Sequence, residues 1–381
     1  MVAHETFPKD VRILKEARVL QAGGWEVDLI ALRKPGEPFR ETVEGVRVWR
    51  LPLGKKRGSP VRYVVEYLLS AFFATALAAV RHLCRRYDLV YIHNIPNMLA
   101  IVGLVPKVLG ARLVLDMHEP MPEFFCYKFR ASSGGFFARA MRLEERFSVA
   151  WADLVVVVSS RMQHTIAGRS HAEDRTIVLP NTLDPVHAGD ALPTLVKEPV
   201  LIYHGSLTRL YGLGTLLDAF SEVKAKLPGA RLSIYGEGPE RPHLESQTQR
   251  LDLRAEVRFM GHVSHSAVLK ALEKSRVAVV PIEKSEYADM ALSDKISECV
   301  AHGIPVVTTD LVTLRDFYGP SGLAYCPYGN SQELAKTILR LLRDPEALEV
   351  QRRNAIERLR KQGWGRSADS WFSRLRNLLE R

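Results

Sequence analysis

The sequence predicts an α/β protein made of two doubly wound parallel sheets, each Rossmann-like. Three observations carry that reading. The 381 residues suit two domains of ordinary size better than one. Strand-length apolar runs alternate with helix-length amphipathic stretches, the pattern of a parallel sheet covered on both faces. One turn-rich stretch, Asp184 to Pro199, interrupts the alternation with three prolines and a glycine and reads as a linker. The domains are therefore expected at 1–187 and 188–363, with a terminal helical segment over 364–381. Two such sheets take ligands at the carboxyl ends of their strands, so the cleft between them is the expected site.

In chain order, Met1 to Ala3 read as the tail of a first strand whose beginning is missing, Lys9 to Ala22 as a helix stopped by Gly23 and Gly24, and Glu26 to Leu32 as a strand. Val46 to Leu51 gives another strand and Pro60 to about Arg86 a long helix. Strands at Leu89 to His93, Arg112 to Asp116 and Asp153 to Val158 then alternate with helices near Pro96 to Leu109, Phe136 to Ala150 and from Ser160. Beyond the linker, strands Val200 to His204, Arg231 to Tyr235, Val257 to Met260 and Val277 to Pro281 alternate with helices Leu213 to Lys226, Glu240 to Leu251 and His265 to Lys274. Helices run from Gln332 to the end.

A net charge of +10 favours anionic partners. Cys84, Cys126, Cys299 and Cys326 are scattered and form no metal-type pair, which suits a reducing cytoplasm. The N-terminus lacks the basic region and apolar core of a signal peptide. The most hydrophobic run, Tyr63 to Val80, is interrupted by Glu66, bracketed by Arg62 and Arg81, and at the lower margin of a bilayer span. It is expected to be a buried helix of the first domain, with partial membrane insertion as the second reading.

The most informative stretch runs from Met290 to Asp310. Leu292, Ile296, Cys299 and Val300 recur at helical spacing, and Gly303 with Pro305 supplies a stop, so a short helix from about Ser293 to His302 should precede a buried strand opening at Val306. Lys295 and Glu298, three apart, share a helix face. An ammonium near a helix N-terminus suits a phosphate, and a carboxylate one turn later can accept both hydrogen bonds of a vicinal diol such as a ribose. An ordinary amphipathic helix bearing a solvated charge pair fits the same spacing.

Lys295, Glu298, Ala301, Gly303, Pro305, Val306 and Val307 resemble in register the donor-site signature of the retaining family 4 glycosyltransferases, the glycosyl transferases group 1. Ser293 stands where that family often has Pro, and Met290 where many members have the first of two glutamates; Asp289 and Glu286 are the candidate substitutes. The loop Gly205 to Gly212 resembles the family's first C-domain loop, with Ser206 and Tyr211 at the places of its usual cations and Arg209 as the remaining phosphate candidate. Gly236-Glu237-Gly238-Pro239 resembles a G-x-G-P turn, although a turn with Pro at the first helical position explains it as well. Met260-Gly261-His262-Val263 resembles the segment whose backbone meets the base. In the first domain Asp116-Met117-His118-Glu119 resembles the loop whose histidine faces the transferred sugar, with His93-Asn94 beside it. Asp10-Val11-Arg12 resembles the start of the family's first helix, and capping plus a surface charge accounts for it equally.

The resemblance implies a GT-B fold with a terminal helix packing back on the first domain, and transfer from a nucleotide-sugar co-substrate with retention, needing no cofactor. No two aspartates are separated by a single residue, so the metal-binding motif of the other major glycosyltransferase fold is missing and no metal is expected. Lys295 and Arg209 would hold the leaving diphosphate, Glu298 the ribose, and His118 would orient the sugar. Lys55, Lys56, Arg57, Arg62, Lys128, Arg130, Arg139, Arg142 and Arg146, interleaved with Phe124, Phe125, Phe129, Phe136 and Phe137, suit an anionic membrane surface, hence a glycan, lipid-linked or polysaccharide-precursor acceptor and a cytoplasmic protein peripheral to the membrane. Aromatics in the core with a solvated basic face are the competing reading. Two other functions share the fold: a non-catalytic nucleotide-sugar-binding scaffold and a sugar-nucleotide epimerase. No nucleic-acid module accompanies the charge.

Overall fold

A computed structural model describes residues 1–54, 60–185, 192 and 194–380. Lys55, Lys56 and Arg57 of the expected cationic set, and the middle of the expected linker, lie outside them. The chain divides into two units, Met1–Pro180 with Ser367–Arg381, and Asn181–Arg366. The division falls earlier than the expected residue 187. Thr182 Oγ1 accepts from the Trp364 amide and Asp184 Oδ1 from that of Gly365, which ties these residues into the second unit.

The first unit runs β1 (Val2–Ala3), α1 (Val11–Ala22), β2 (Asp28–Leu32), β3 (Arg40–Val43), β4 (Val46–Leu51), α2 (Pro60–Cys84), β5 (Leu89–His93), a 3-10 turn (Asn97–Gly103), α3 (Leu104–Val108), β6 (Arg112–Met117), α4 (Met121–Phe129), α5 (Phe136–Trp151), β7 (Leu154–Val157), α6 (Ser160–Ser170) and β8 (Thr176–Val178). The sheet order is β3-β4-β2-β1-β5-β6-β7-β8, parallel except for the β3/β4 pair. The sequence reading had no β3. It closes on β4 through Glu44 and Gly45, both at positive φ, the backbone of a tight hairpin turn without the usual Asn-Gly signal. The short elements α4 and β8 were also unread.

Asp10 caps α1, its Oδ1 accepting from the amides of Arg12 and Ile13. Arg12 is not a surface charge, which corrects that reading. Its guanidinium is buried, bridges both oxygens of Asp116 at the end of β6 at 2.7 and 3.0 Å, and donates to the Leu179 carbonyl. Burial would raise Asp116, yet the guanidinium holds it well below the usual carboxylate range; burial and Asp116 together hold neighbouring Glu16 well above it. The two carboxyls around this one cation are thus pushed in opposite directions.

The helix α2 departs most from expectation. It does not fill the core: Ser70, Ala71, Ala74 and Ala78 face inward, while Val65, Leu68, Leu69 and Phe72 are exposed. The large apolar side chains lie on the wrong side for an ordinary surface helix.

The second unit runs β9 (Val200–His204), α7 (Leu213–Lys226), β10 (Arg231–Tyr235), α8 (Arg241–Arg250), β11 (Val257–Gly261), α9 (His265–Glu273), β12 (Val277–Val280), α10 (Asp294–Ala301), β13 (Val306–Thr309), α11 (Val312–Gly322), β14 (Ala324–Cys326), α12 (Ser331–Arg343) and α13 (Pro345–Gln362). The last helix, α14 (Trp364–Leu379), completes the first unit from Ser367 on, with Trp371 edge-on to Tyr91 and Phe372 packed against Trp25. The second sheet is wholly parallel in the order β11-β10-β9-β12-β13-β14. Helices cross over on opposite sides of β9, which makes its carboxyl end a topological switch point. Val277–Val280 and Val306–Thr309 are buried throughout, as strands covered on both faces must be.

Arg12→Met should destabilise the protein by about 3–5 kcal/mol, since it leaves Asp116 charged and buried without its partner. Urea denaturation checks this; an unchanged midpoint would show that the pair is not structural.

Candidate nucleotide-sugar site

The loops at the carboxyl ends of β9, β10 and β11 approach one another backbone to backbone. The Gly205 amide donates to the Tyr235 carbonyl at 2.9 Å, that of Leu207 to Glu237 at 2.9 Å, and that of Gly236 to Gly261 at 2.8 Å. A Cβ on Gly236, at φ +126°, would stand 1.8 Å from the Gly205 carbonyl oxygen, and one on Gly238 2.2 Å from that of Leu207. Gly236 and Gly238 thus serve to bring the loops together. Pro239 lies before the helix, because α8 begins only at Arg241. Ser206 is exposed, Val263 half-buried, and Gly261 at φ +71° sits where a Cβ would meet the Glu237 carboxylate.

Lys295, in the first turn of α10, lies across Gly205. A Cβ on Gly205 would fall 1.9 Å from the lysine Cε. The ammonium donates to the Tyr211 hydroxyl at 2.6 Å and sits 4.0 Å from the centre of its ring. Tyr211, at a place where the family carries a cation, therefore holds one from elsewhere in the chain. Arg209 is exposed and pairs with Glu283 at 3.2 Å. The loop carrying Arg209 leads into α7, whose N-cap residue Gly212 supplies no side-chain cap, so the first amides of the helix are available to an anion.

One turn along α10, Glu298 stands between two histidines, 3.4 Å from His204 Nδ1 and 3.3 Å from His265 Nε2. Burial pushes the Glu298 carboxyl up, opposed by His265 and Lys295; burial, then Lys295, pushes His204 down to about 4. His204 is thus neutral near pH 7, its Nε2 3.4 Å from the Cys299 sulfur. Ser293 precedes α10 with its hydroxyl buried and without a hydrogen-bond partner. Met290 is buried, and the carboxylate of Asp289 accepts from the Val312 amide at the start of α11. Glu286 is exposed. His204, His265, Tyr211 and Glu283 were not read from sequence as site residues.

In the first unit, the loop after β6 carries His118, whose Nε2 lies 3.0 Å from Asp116 Oδ2 and 3.1 Å from His93 Nδ1. Asp116 Oδ2 thus faces a ring nitrogen of each histidine, at 3.0 Å from His118 Nε2 and 3.3 Å from His93 Nδ1. Asn94 fixes the loop, its Oδ1 accepting from the His118 amide at 2.7 Å and its Nδ2 donating to the Glu119 carbonyl at 2.8 Å. Burial lowers His93 to about 4, so it is neutral near pH 7. Donor atoms of His93, Asp116 and His118 lie within 4.8 Å of one another, a spacing that a metal ion accepts. Arg12 nevertheless already holds both oxygens of Asp116 and supplies the cation of the cluster.

Gly236→Ala should lower stability by about 1–3 kcal/mol, because the loops must part or the backbone strain. Gly229→Ala, whose Cβ would meet nothing nearer than 3.9 Å, should stay within about 0.5 kcal/mol. Thermal unfolding of the two variants is the measurement, and equal losses would contradict the close loop approach.

The profile described as Glycosyl transferases group 1 matches residues 198–344, and that described as Glycosyl transferase 4-like domain matches residues 10–182. The chain is 28% identical to the 2-deoxystreptamine N-acetyl-D-glucosaminyltransferase of Streptomyces fradiae, over 81% of this chain and 76% of that protein. It is 25% identical to the 2-deoxystreptamine glucosyltransferase of Streptomyces kanamyceticus, over 88% and 89%. Among solved structures, sucrose-phosphate synthase from Thermosynechococcus elongatus superposes with a TM-score of 0.75 at 23% identity, covering 100% of this chain and 96% of that one. Anabaena HepE, in complex with UDP and glucose, gives 0.70 at 16%, covering 99% and 98%. Two doubly wound units, the Lys295 and Glu298 helix at the switch point, and these matches together establish that the chain belongs to the group 1 glycosyltransferases of GT-B fold.

Proposed function

We propose that this glycosyltransferase transfers a sugar from a nucleoside-diphosphate sugar, with retention of anomeric configuration, to a glycan, lipid-linked or polysaccharide-precursor acceptor. The observation that carries the donor reading is Lys295 lying over Gly205, in the loop that leads to the uncapped start of α7. Departure of the nucleoside diphosphate builds charge on its oxygens. Lys295, Arg209 and the α7 amides supply fixed positive charge and hydrogen bonds where that charge develops. On donor binding Lys295 exchanges the Tyr211 hydroxyl for a phosphate oxygen, and Arg209 exchanges Glu283. Glu298, held between His204 and His265, accepts from the ribose hydroxyls and is not the base. His118 orients the sugar or assists acceptor attack, with a leaving-phosphate oxygen taking the acceptor proton in a same-face displacement. Every role in this scheme is filled by a side chain or an amide, without a metal ion.

The solved relative HepE holds UDP, which supports a uridine donor here. The names of the Streptomyces relatives favour a second acceptor, an aminocyclitol. The net charge of +10 works against a polycationic acceptor and favours the glycan or lipid-linked reading.

Titration calorimetry with UDP, GDP, ADP and their sugar conjugates tests the donor site. One nucleotide should bind selectively, and Lys295→Ala should weaken it about 10- to 100-fold, the value of a charge-assisted hydrogen bond. A folded protein that binds none of them would remove the donor assignment, and binding with neither transfer nor epimer formation would favour a scaffold.

The raised Glu298 carboxyl also sets a pH dependence. Its ionised form accepts from the ribose, so affinity is full above its pKa and falls as the pH drops through it, starting at a higher pH than for an ordinary glutamate. In Glu298→Gln, binding should be weaker at neutral pH and this acid limb should flatten. An unchanged limb would place the titrating group elsewhere.

A further inference from the structure

We propose that the outer face formed by α2, the turn Asn97–Gly103 with α3, and α5 docks on an anionic lipid bilayer. Right-handed crossovers from β4 to β5, β5 to β6 and β6 to β7 put these elements on one side of the first sheet. On α2, Leu68, Phe72, Val80 and Leu83 are between 51% and 70% exposed. No charged residue lies between Glu66 and Arg81, an apolar length of roughly 21 Å. Ile101 and Val108 extend the patch at 50% and 72% exposure. On α5 one exposed stripe interleaves Phe136, Arg139, Leu143, Arg146 and Phe147, with Phe136 89% exposed.

Charge identifies the occupant. Each acid on these helices is withdrawn: Glu66 pairs with Arg62, Glu145 is buried against Arg169, and Glu144 is held by Ser148 and Asn97. The exposed charges on the same helices, Arg62, Arg139 and Arg146 among them, are basic. A second copy would set two basic rims against each other, whereas a bilayer with acidic headgroups meets both the apolar stripe and its rim. The described part of α2 has the length and composition of a membrane span, but Tyr63, Ser70, Ala71, Ala74 and Ala78 are buried within its own unit. It therefore lies along the membrane and does not cross it. The donor chemistry of the second unit plays no part in this argument.

Co-sedimentation of the whole chain with vesicles tests it, comparing phosphatidylcholine alone with an equal mixture of phosphatidylcholine and phosphatidylglycerol. Wild type should sediment with the mixed vesicles only, and less at high salt. Arg139→Gln with Arg146→Gln should cut partitioning about 25-fold, or about fivefold for each basic residue lost. Leu68→Asp with Phe72→Asp should abolish it while thermal unfolding stays near wild type. Should those aspartates unfold the protein, Phe136→Ser and Phe147→Ser, on highly exposed sites, serve in their place. Failure of the wild type to bind the mixed vesicles overturns the proposal. So does indifference to both apolar pairs, or a dimer seen by light scattering that Phe72→Asp dissociates, which would assign the face to a second copy.

Discussion

The second unit depends on the absence of side chains at three positions beyond two strand ends. Because Gly205, Gly236 and Gly238 carry no Cβ, the loops after β9 and β10 close to backbone hydrogen-bond distance. The space over Gly205 is taken by the stem of Lys295, which α10 delivers from the far side of β12. Tyr211 then holds the ammonium, and His204 and His265 hold the carboxylate of Glu298. A flexible cation and a flexible anion become fixed points, which lowers the ordering cost of binding.

The first unit solves a related problem with charge. Arg12 fixes the start of α1 to the end of β6, and Asp116 holds the ring of His118. Burial and Asp116 push Glu16 up beside the same guanidinium, which opposes a second buried anion on one cation. The histidine is therefore aligned by a network whose members are mostly structural.

Much of this was legible in the chain. The alternation and the linker give two doubly wound units, and the Lys295 to Val307 spacing gives the helix and strand at the switch point. What was missed has physical reasons. Short β3, α4 and β8 are settled by neighbours and carry little periodicity of their own. The apolar run in α2 suggested core, because hydropathy reports composition and not direction; Ser70, Ala71, Ala74 and Ala78 face inward while Val65, Leu68, Leu69 and Phe72 face outward. Arg12 was read as a surface charge because its partner lies 104 residues away. Tyr211 meets Lys295 across 84 residues, a contact created by the strand order, which local spacing does not encode.

The β3–β4 hairpin has a consequence for the unit's behaviour at high concentration. A parallel sheet left open at β4 would offer a row of free amides and carbonyls to any extended chain. The antiparallel β3 covers that row with a short strand bearing Arg40 and Glu41, and β8 ends the other side after three residues. Short or charged rims of this kind disfavour edge-to-edge pairing of the sheet beside the open apolar helix face.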